Sequence, residues 1–205
     1  QDFIPWDDDA DIIMARKDFE KFLQVYPLQK KTNYVLEKDM WLYRVRDLDI
    51  DFEKDLANNN VDIFVLDRVP SNAFLNSIKI FLIKMLQGMM KEKPKYKNYN
   101  LLGKLLSFVT YYLGKLFSKN FKFRCYQTIS KFGSEKSAHK SAYNYSYKFL
   151  TIKFPSEVVD NYKETLFHGN HFYVFADSDR YLRSVYGDYM QLPPENQRYP
   201  KHIKV

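Results

Sequence analysis

Pro5-Trp6-Asp7-Asp8-Asp9-Ala10-Asp11-Ile12-Ile13-Met14 puts four carboxylates into five positions and runs them straight into an apolar stretch. Like charges this close repel, and aspartate is a poor strand former. The run costs stability unless something cationic neutralises it. Asp9 to Met14 reads as a short strand, apolar on alternate positions. On a strand Asp7, Asp9 and Asp11 share one face, with Ala10 and Ile12 on the other. Same-face stems roughly 7 Å apart can converge on one hard cation. An EF-hand shares the opening spacing but fails further on. Its glycine position holds Ile12 and its closing glutamate position holds Asp18. A solvated acidic turn is the plain alternative, and Ile12-Ile13-Met14, which pulls the run toward a core, argues against it.

Outward from this stretch, strand and helix signals alternate to about Asp67. Arg16 to Tyr26 repeats apolar residues at a helical period (Phe19, Phe22, Leu23, Tyr26), and Pro27 stops it. Tyr34–Leu36, Trp41–Arg46 and Val61–Leu66 read as strands, the last after the turn signal Asn58-Asn59-Asn60. Asp47, Asp49 and Asp51 also alternate, beside a loop-like stretch from Asp51 to Asn60. Arg44 and Arg46 could pair with them, and a solvated edge is the better reading of that triad.

The middle, from about Pro70 to Tyr147, reads as helical. Leu101–Ser118 carries one narrow polar stripe, Lys104, Ser107, Tyr111, Lys115 and Ser118, on an otherwise apolar helix. Lys91 to Lys97 is a basic linker, and Gly133 to Tyr147 looks like a loop. Lys79 to Lys148 holds 15 Lys or Arg against Glu92 and Glu135, a net +13. The remainder holds 17 basic and 23 acidic residues, a net −6. A basic middle in an acidic-to-neutral body points to a polyanion or an anionic membrane surface. No run reads as membrane-spanning, because Ala73–Met90 and Leu101–Phe117 are broken by Lys79, Lys84, Lys104 and Lys115. These helices either form an interfacial platform or pack on the sheet with solvated lysines. Nucleic acid is the poorer partner, since no recognition module is present and an acidic strand would meet the phosphates.

Beyond the middle, Leu166 to Phe175 suggests a hairpin turning near Gly169. Asp177 is placed to cap a short helix through Tyr186, with Gly187 at its end. The single Cys125 excludes a disulfide framework and a multi-thiolate zinc site. His139, His168, His171 and His202 are too scattered to suggest a metal site.

Three ordered motifs then resemble one family. Phe3 to Ile12 is similar to the signature of the LicD family, phosphocholine transferases of bacterial cell-surface glycans with distant relatives such as fukutin. Val61-Asp62-Ile63-Phe64, with Asp67 and Pro70, resembles its second acidic strand. Tyr181-Leu182 and Tyr186-Gly187-Asp188-Tyr189-Met190-Gln191-Leu192-Pro193-Pro194, with Arg198 and His202, resemble its C-terminal signature. The resemblance implies an α/β, nucleotidyltransferase-like fold: a mixed sheet with flanking helices. It implies one catalytic domain over 1–205 with a basic helical insertion at about 71–147. It also implies that a helix and a strand ending in a glycine turn belong upstream of Gln1.

The chemistry implied is transfer of a phospho-alcohol, phosphocholine foremost, from a CDP-linked donor to a hydroxyl of a glycan or lipid-linked glycan such as a teichoic acid, lipopolysaccharide or capsule precursor. Asp9, Asp11 and Asp62 would hold Mg2+ or Mn2+. Asp7 or Asp8 would orient or deprotonate the acceptor. Arg44 and Arg46 read as a clamp on the donor phosphates or as surface charge. Tyr186, Asp188 and Arg198 would line the substrate wall, or the C-terminal motif is structural. Trp6 and Tyr189 are candidates for an aromatic cage around a quaternary ammonium. The setting implied is cytoplasmic, at the inner face of the membrane. Two other readings stand beside this one: a nucleotidyltransferase of the same fold, and a non-catalytic glycan- or membrane-binding protein.

Overall fold

The acidic run leads into an edge strand. In the computed structural model, β1 spans Ala10–Ala15 and pairs in parallel with β4, Asn60–Arg68. The structure describes residues 4–7, 10–26, 33–50, 60–94, 99–147 and 149–199. Asp8, Asp9, Pro27, Asp51, Asn58, Asn59, Lys97 and His202, all used in the sequence reading, lie outside them.

Between β1 and β4 the chain makes helix α1 (Arg16–Val25) and a hairpin of β2 (Tyr34–Asp39) and β3 (Leu42–Asp47). Phe19 is the fully buried residue of α1, and Phe22 and Leu23 pack beside it, so the expected helical period marks the buried face. β3 runs antiparallel along one edge of β4 at residues 60–63, while β1 occupies the other edge. Further along the first edge, β5 (His139–Ala142) takes over, pairing Leu66 with Ala142, and β6 (Phe154–Pro155) follows it. Among the described residues the result is a mixed six-stranded sheet with β4 at its centre. Ile63, Phe64, Val65 and Leu66 are all buried, because the sheet is covered on both faces. Phe64 and Leu66 face one core with Phe154, Val158 and Val159. Ile63 and Val65 face another with Phe19 and Tyr43.

The strand β5 corrects the loop reading of Gly133 to Tyr147. Its buried residues include Lys140 and Ser141, so hydropathy does not reveal it. Both are partnered: Lys140 ion-pairs with Asp160, and Ser141 Oγ donates to the Ile152 carbonyl at 2.7 Å.

The basic middle forms α2 (Ala73–Met90), α3 (Leu101–Lys115) and α4 (Lys119–Lys131). α2 opens on Asn72, whose side chain accepts from the Phe74 and Leu75 amides. Its buried side is polar. Lys79 Nζ donates to the carbonyls of Arg68, Ser130 and Phe132 at 3.2, 2.8 and 2.7 Å, and lies 3.5 Å from the centre of the Tyr143 ring. One ammonium on α2 thereby ties together the ends of β4 and α4. Burial pushes that ammonium down to about 7, against the field of Asp67.

After α5 (Ser156–Val159), β7 (Tyr162–Phe167) and β8 (Asn170–Phe175) form the expected hairpin. His168 and Gly169 turn it with φ of 48° and 78°, the left-handed pair a two-residue hairpin turn needs. α6 (Ser178–Tyr186) starts where the Asp177 carboxylate accepts from the Arg180 amide and stops at Gly187, whose φ is 71°.

Lys79→Met should lower stability by about 1–3 kcal/mol, since three carbonyls, that of Ser130 buried, lose their donor. The shift in urea midpoint, followed by circular dichroism, measures it.

Candidate active site at the junction of β3, β4 and β5

The parallel register sets Asp11 directly against Asp62. Partnered residues of neighbouring strands share a face, with backbones roughly 4.8 Å apart. On the far side of β4, Arg44 is in register with Asp62. The three side chains form one row across three strands. Arg44 Nε and Nη2 donate to the two Asp62 oxygens at 2.9 and 3.2 Å, and Nη1 donates to Asp39 at 2.9 Å. Burial opposes the Arg44 charge, but Asp62 and Asp39 outweigh it and hold the guanidinium above its ordinary value. Arg44 is therefore a cation that offsets the repulsion within the acidic row. Arg46, two residues on, pairs with Glu37 at 2.8 Å and reaches Asn60 at 3.4 Å. The partners shown for the two arginines are thus Asp62, Asp39, Glu37 and Asn60. Asp49 instead accepts from Asn33 Nδ2, and Asp47 accepts from the Asp49 amide, as a solvated edge would.

A cleft of about 290 Å³ opens over the row. Asp11, Asp62, Arg44, Asp39, Trp41 and Tyr145 are among its walls. It exists because β3 and β5 leave a gap along β4. Within the gap the Ile63 carbonyl and the Val65 amide would lack partners, and Asn144 supplies both. Its Nδ2 donates to Ile63 O and its Oδ1 accepts from Val65 N, each at 2.8 Å. The clasp holds Tyr145 and Ser146 against the cleft. Tyr145 stacks on Phe64 at 4.2 Å. Burial, with Tyr186 and Asp11 close by, raises its hydroxyl far above the usual tyrosine range, so it stays a protonated donor at neutral pH. Tyr181 is raised likewise, by burial first, then Tyr186 and Asp11. Asn144 and Tyr145 were not read as site residues from the sequence. Asn144 stands in a Ser-, Lys- and Tyr-rich stretch where nothing marks one amide as a strand substitute.

Asp11, Asp62 and Arg44 are thus brought into one cleft, and Tyr186 lies close to Tyr145. Asp7 is exposed just before β1, in a turn where its amide donates to the Ile4 carbonyl at 3.0 Å. Trp6 and Arg198 meet each other, guanidinium over indole at 5.4 Å. Tyr189 is not in the cleft wall: its hydroxyl donates to Asp179 at 3.0 Å and Arg183 lies over its ring at 5.8 Å. Asp188 lies next to it, within the field of Arg183. Trp6 and Tyr189 therefore each face an arginine. Asp67, on the opposite face of β4, is buried in a two-pronged pair with Arg16 at 2.7 and 2.6 Å and belongs to the core.

The cleft's donor set suits a hard divalent cation. Two carboxylates share a face, and each Asp62 oxygen keeps a lone pair beyond the one Arg44 uses. Among the described residues no group of three or more His, Cys, Asp or Glu gathers around one point.

Residues 1–79 match the model of the family described as LicD/FKTN/FKRP, nucleotidyltransferase domain. Over 230 aligned residues the chain is 25% identical to the lipopolysaccharide cholinephosphotransferase LicD of Haemophilus influenzae, covering 98% of this chain and 81% of that protein. No solved structure matches. The LicD resemblance read from the motifs is thereby borne out, and the family match spans both acidic strands of the cleft.

Asn144→Ala should speed hydrogen exchange at the Val65 amide and cost about 1–3 kcal/mol of stability by leaving two buried backbone groups unpaired. Unchanged exchange at Val65 would mean that the clasp does not hold the gap.

Proposed function

We propose that this LicD-like chain transfers a phospho-alcohol, phosphocholine foremost, from a CDP-linked donor to a hydroxyl of a cell-surface glycan. The observation that carries this is the in-register row of Asp11, Asp62 and Arg44 beneath one cleft. The similarity to a lipopolysaccharide cholinephosphotransferase supports the choice of alcohol.

In the reaction, the acceptor oxygen bonds to the donor phosphorus that carries the alcohol. The phosphoanhydride bond to CMP breaks, and CMP leaves with the electron pair. Such a transfer requires positioning and charge neutralisation and needs no protein nucleophile. Asp11 and Asp62, with Asp9 on the strength of its motif, would hold Mg2+ or Mn2+. When bound, that ion supplies neutralisation of the donor diphosphate. Arg44 steadies Asp62 and offers its guanidinium to a phosphate oxygen. Tyr145 donates a hydrogen bond from the wall. Asp7 or Asp8 takes the acceptor proton. Arg46, Tyr186, Asp188 and Arg198 belong to the surrounding substrate surface. Trp6 and Tyr189 would offer aromatic faces to the quaternary ammonium.

The family's description as a nucleotidyltransferase domain favours one second reading, attack on the phosphorus nearest cytidine. Products separate the two. With CDP-choline and an acceptor glycan, phosphocholine transfer releases CMP, whereas nucleotidyl transfer releases phosphocholine.

CMP release from CDP-choline should depend on added magnesium or manganese. Asp11→Asn and Asp62→Asn should each cut turnover by at least about a hundredfold, in keeping with the several kcal/mol of charge stabilisation such a group helps supply. Their circular dichroism should match wild type. Undiminished turnover in either variant would remove it from the reaction. CDP-ribitol and CDP-glycerol, assayed in parallel, identify the alcohol.

A further inference from the structure

Helices α2 and α3 turn their apolar sides outward. In α2 the buried positions are Asn76, Lys79, Ile83 and Gln87, three of them polar. Each makes contacts inside: Asn76 with the Tyr143 hydroxyl, Lys79 with its three carbonyls, and Gln87 through Nε2, which donates to the Tyr126 hydroxyl and the Tyr145 carbonyl. The apolar face looks away from the protein, where Phe74 is 72% and Phe81 57% exposed.

The packing of α3 on α2 follows the same inverted rule. Gly103 and Ser107 are half-buried and Thr110 and Gly114 buried, so small residues recur at steps of three and four. A Cβ at Gly114 would fall 2.1 Å from the Met89 carbonyl oxygen, and one at Gly88 would fall 2.4 Å from Thr110 Oγ1. The backbones meet through small side chains, while Leu101 is 85% and Leu116 77% exposed. Small residues at the contact and large apolar ones outside is how helices pack when lipid surrounds them. An amphipathic helix in water does the reverse.

Charge points the same way. Neither helix contains Asp or Glu. Lys104 and Lys115 flank the apolar face of α3, and Lys115 Nζ lies 4.6 and 5.1 Å from the centres of the Tyr111 and Tyr112 rings. Long lysine stems over aromatic rings suit a headgroup boundary. Depth is limited by geometry. Among the described residues α2 alone could cross a bilayer by length and composition, but its inner face is packed on protein along the helix. The 15 residues of α3 rise about 22 Å, short of the ~30 Å hydrocarbon thickness.

We propose that the outer face of α2 and α3 seats the protein in the headgroup and acyl boundary of an anionic bilayer, with both helices lying in its plane. Anionic lipid fits better than a second copy, because two faces carrying the same positive field repel each other. A cavity of about 300 Å³ beside the end of α2, walled by Met90 and Lys91, shares Asp39 and Met40 with the cleft. The seat would thus bring the cleft near a lipid-linked acceptor, a consequence that rests on the phosphotransfer reading; the seat itself does not.

The test is flotation of the full chain with phosphatidylcholine vesicles, with or without phosphatidylglycerol, alongside light scattering of the protein alone. It requires no turnover, so its failure is separate from failure of the reaction. Wild type should float with the anionic vesicles at low salt. Leu102→Asp with Leu105→Asp, at exposed positions that leave the fold intact by circular dichroism, should lose binding. Lys104→Glu with Lys115→Glu should weaken anionic-vesicle binding by about tenfold or more. No wild-type flotation would overturn the proposal, as would undiminished flotation of the aspartate variant. A wild-type dimer that the aspartate variant splits, with no flotation of either, would also overturn it and make the face a contact between copies.

Discussion

Two carboxylates held side by side on parallel strands are the constraint around which this molecule is arranged. Asp11 and Asp62 share a face because the register of β1 on β4 makes them partners. A slip of one residue would send one of them to the opposite face. Hydrophobic neighbours guard against the slip, since the same register pairs Ile13 with Phe64 and commits both to the core beneath. Arg44 reduces the repulsion from the third strand. The fold thus carries its own partial neutralisation of the acidic row and leaves that row facing a cleft.

The cleft exists through a break in regularity. A continuous partner along β4 would have filled the space. Two shorter strands, β3 and β5, share that edge, and the side chain of Asn144 bridges the gap between them. Trp41 and Tyr145 enter from either side of the break. The aromatic richness of the chain, 17 Tyr and 17 Phe, is used here for packing first: Tyr145 stacks on Phe64, Tyr43 meets Phe19, and Tyr126 is wholly buried. The phenols near Asp11 keep their protons because burial disfavours the phenolate.

The basic helices solve a different problem. Their interior contact is made by polar and small residues, so their apolar side chains are left for something outside the sheet domain. Lys79 shows how this is tolerated. Its charge is costly to bury, yet it closes three carbonyls at once.

Local sequence determined a good deal by itself. The helix from Arg16, the strand around Val61–Leu66, the Gly169 turn and the Asp177-to-Gly187 helix were all legible, because each depends on a period, a cap or a left-handed turn residue within a few positions. Asp11 and Asp62 were legible as partners through motif resemblance, and the structure sets them in register. Only the tertiary structure decided that Arg44 belongs to Asp62, that Asp67 belongs to Arg16, that Tyr189 turns to Asp179, and that His139–Ala142 is a strand. It also decided which side of α2 faces inward. These outcomes depend on pairings between residues far apart in the chain, where a polar side chain becomes a core residue only because a distant donor or acceptor meets it. Hydropathy along the sequence registers the residue and not its partner.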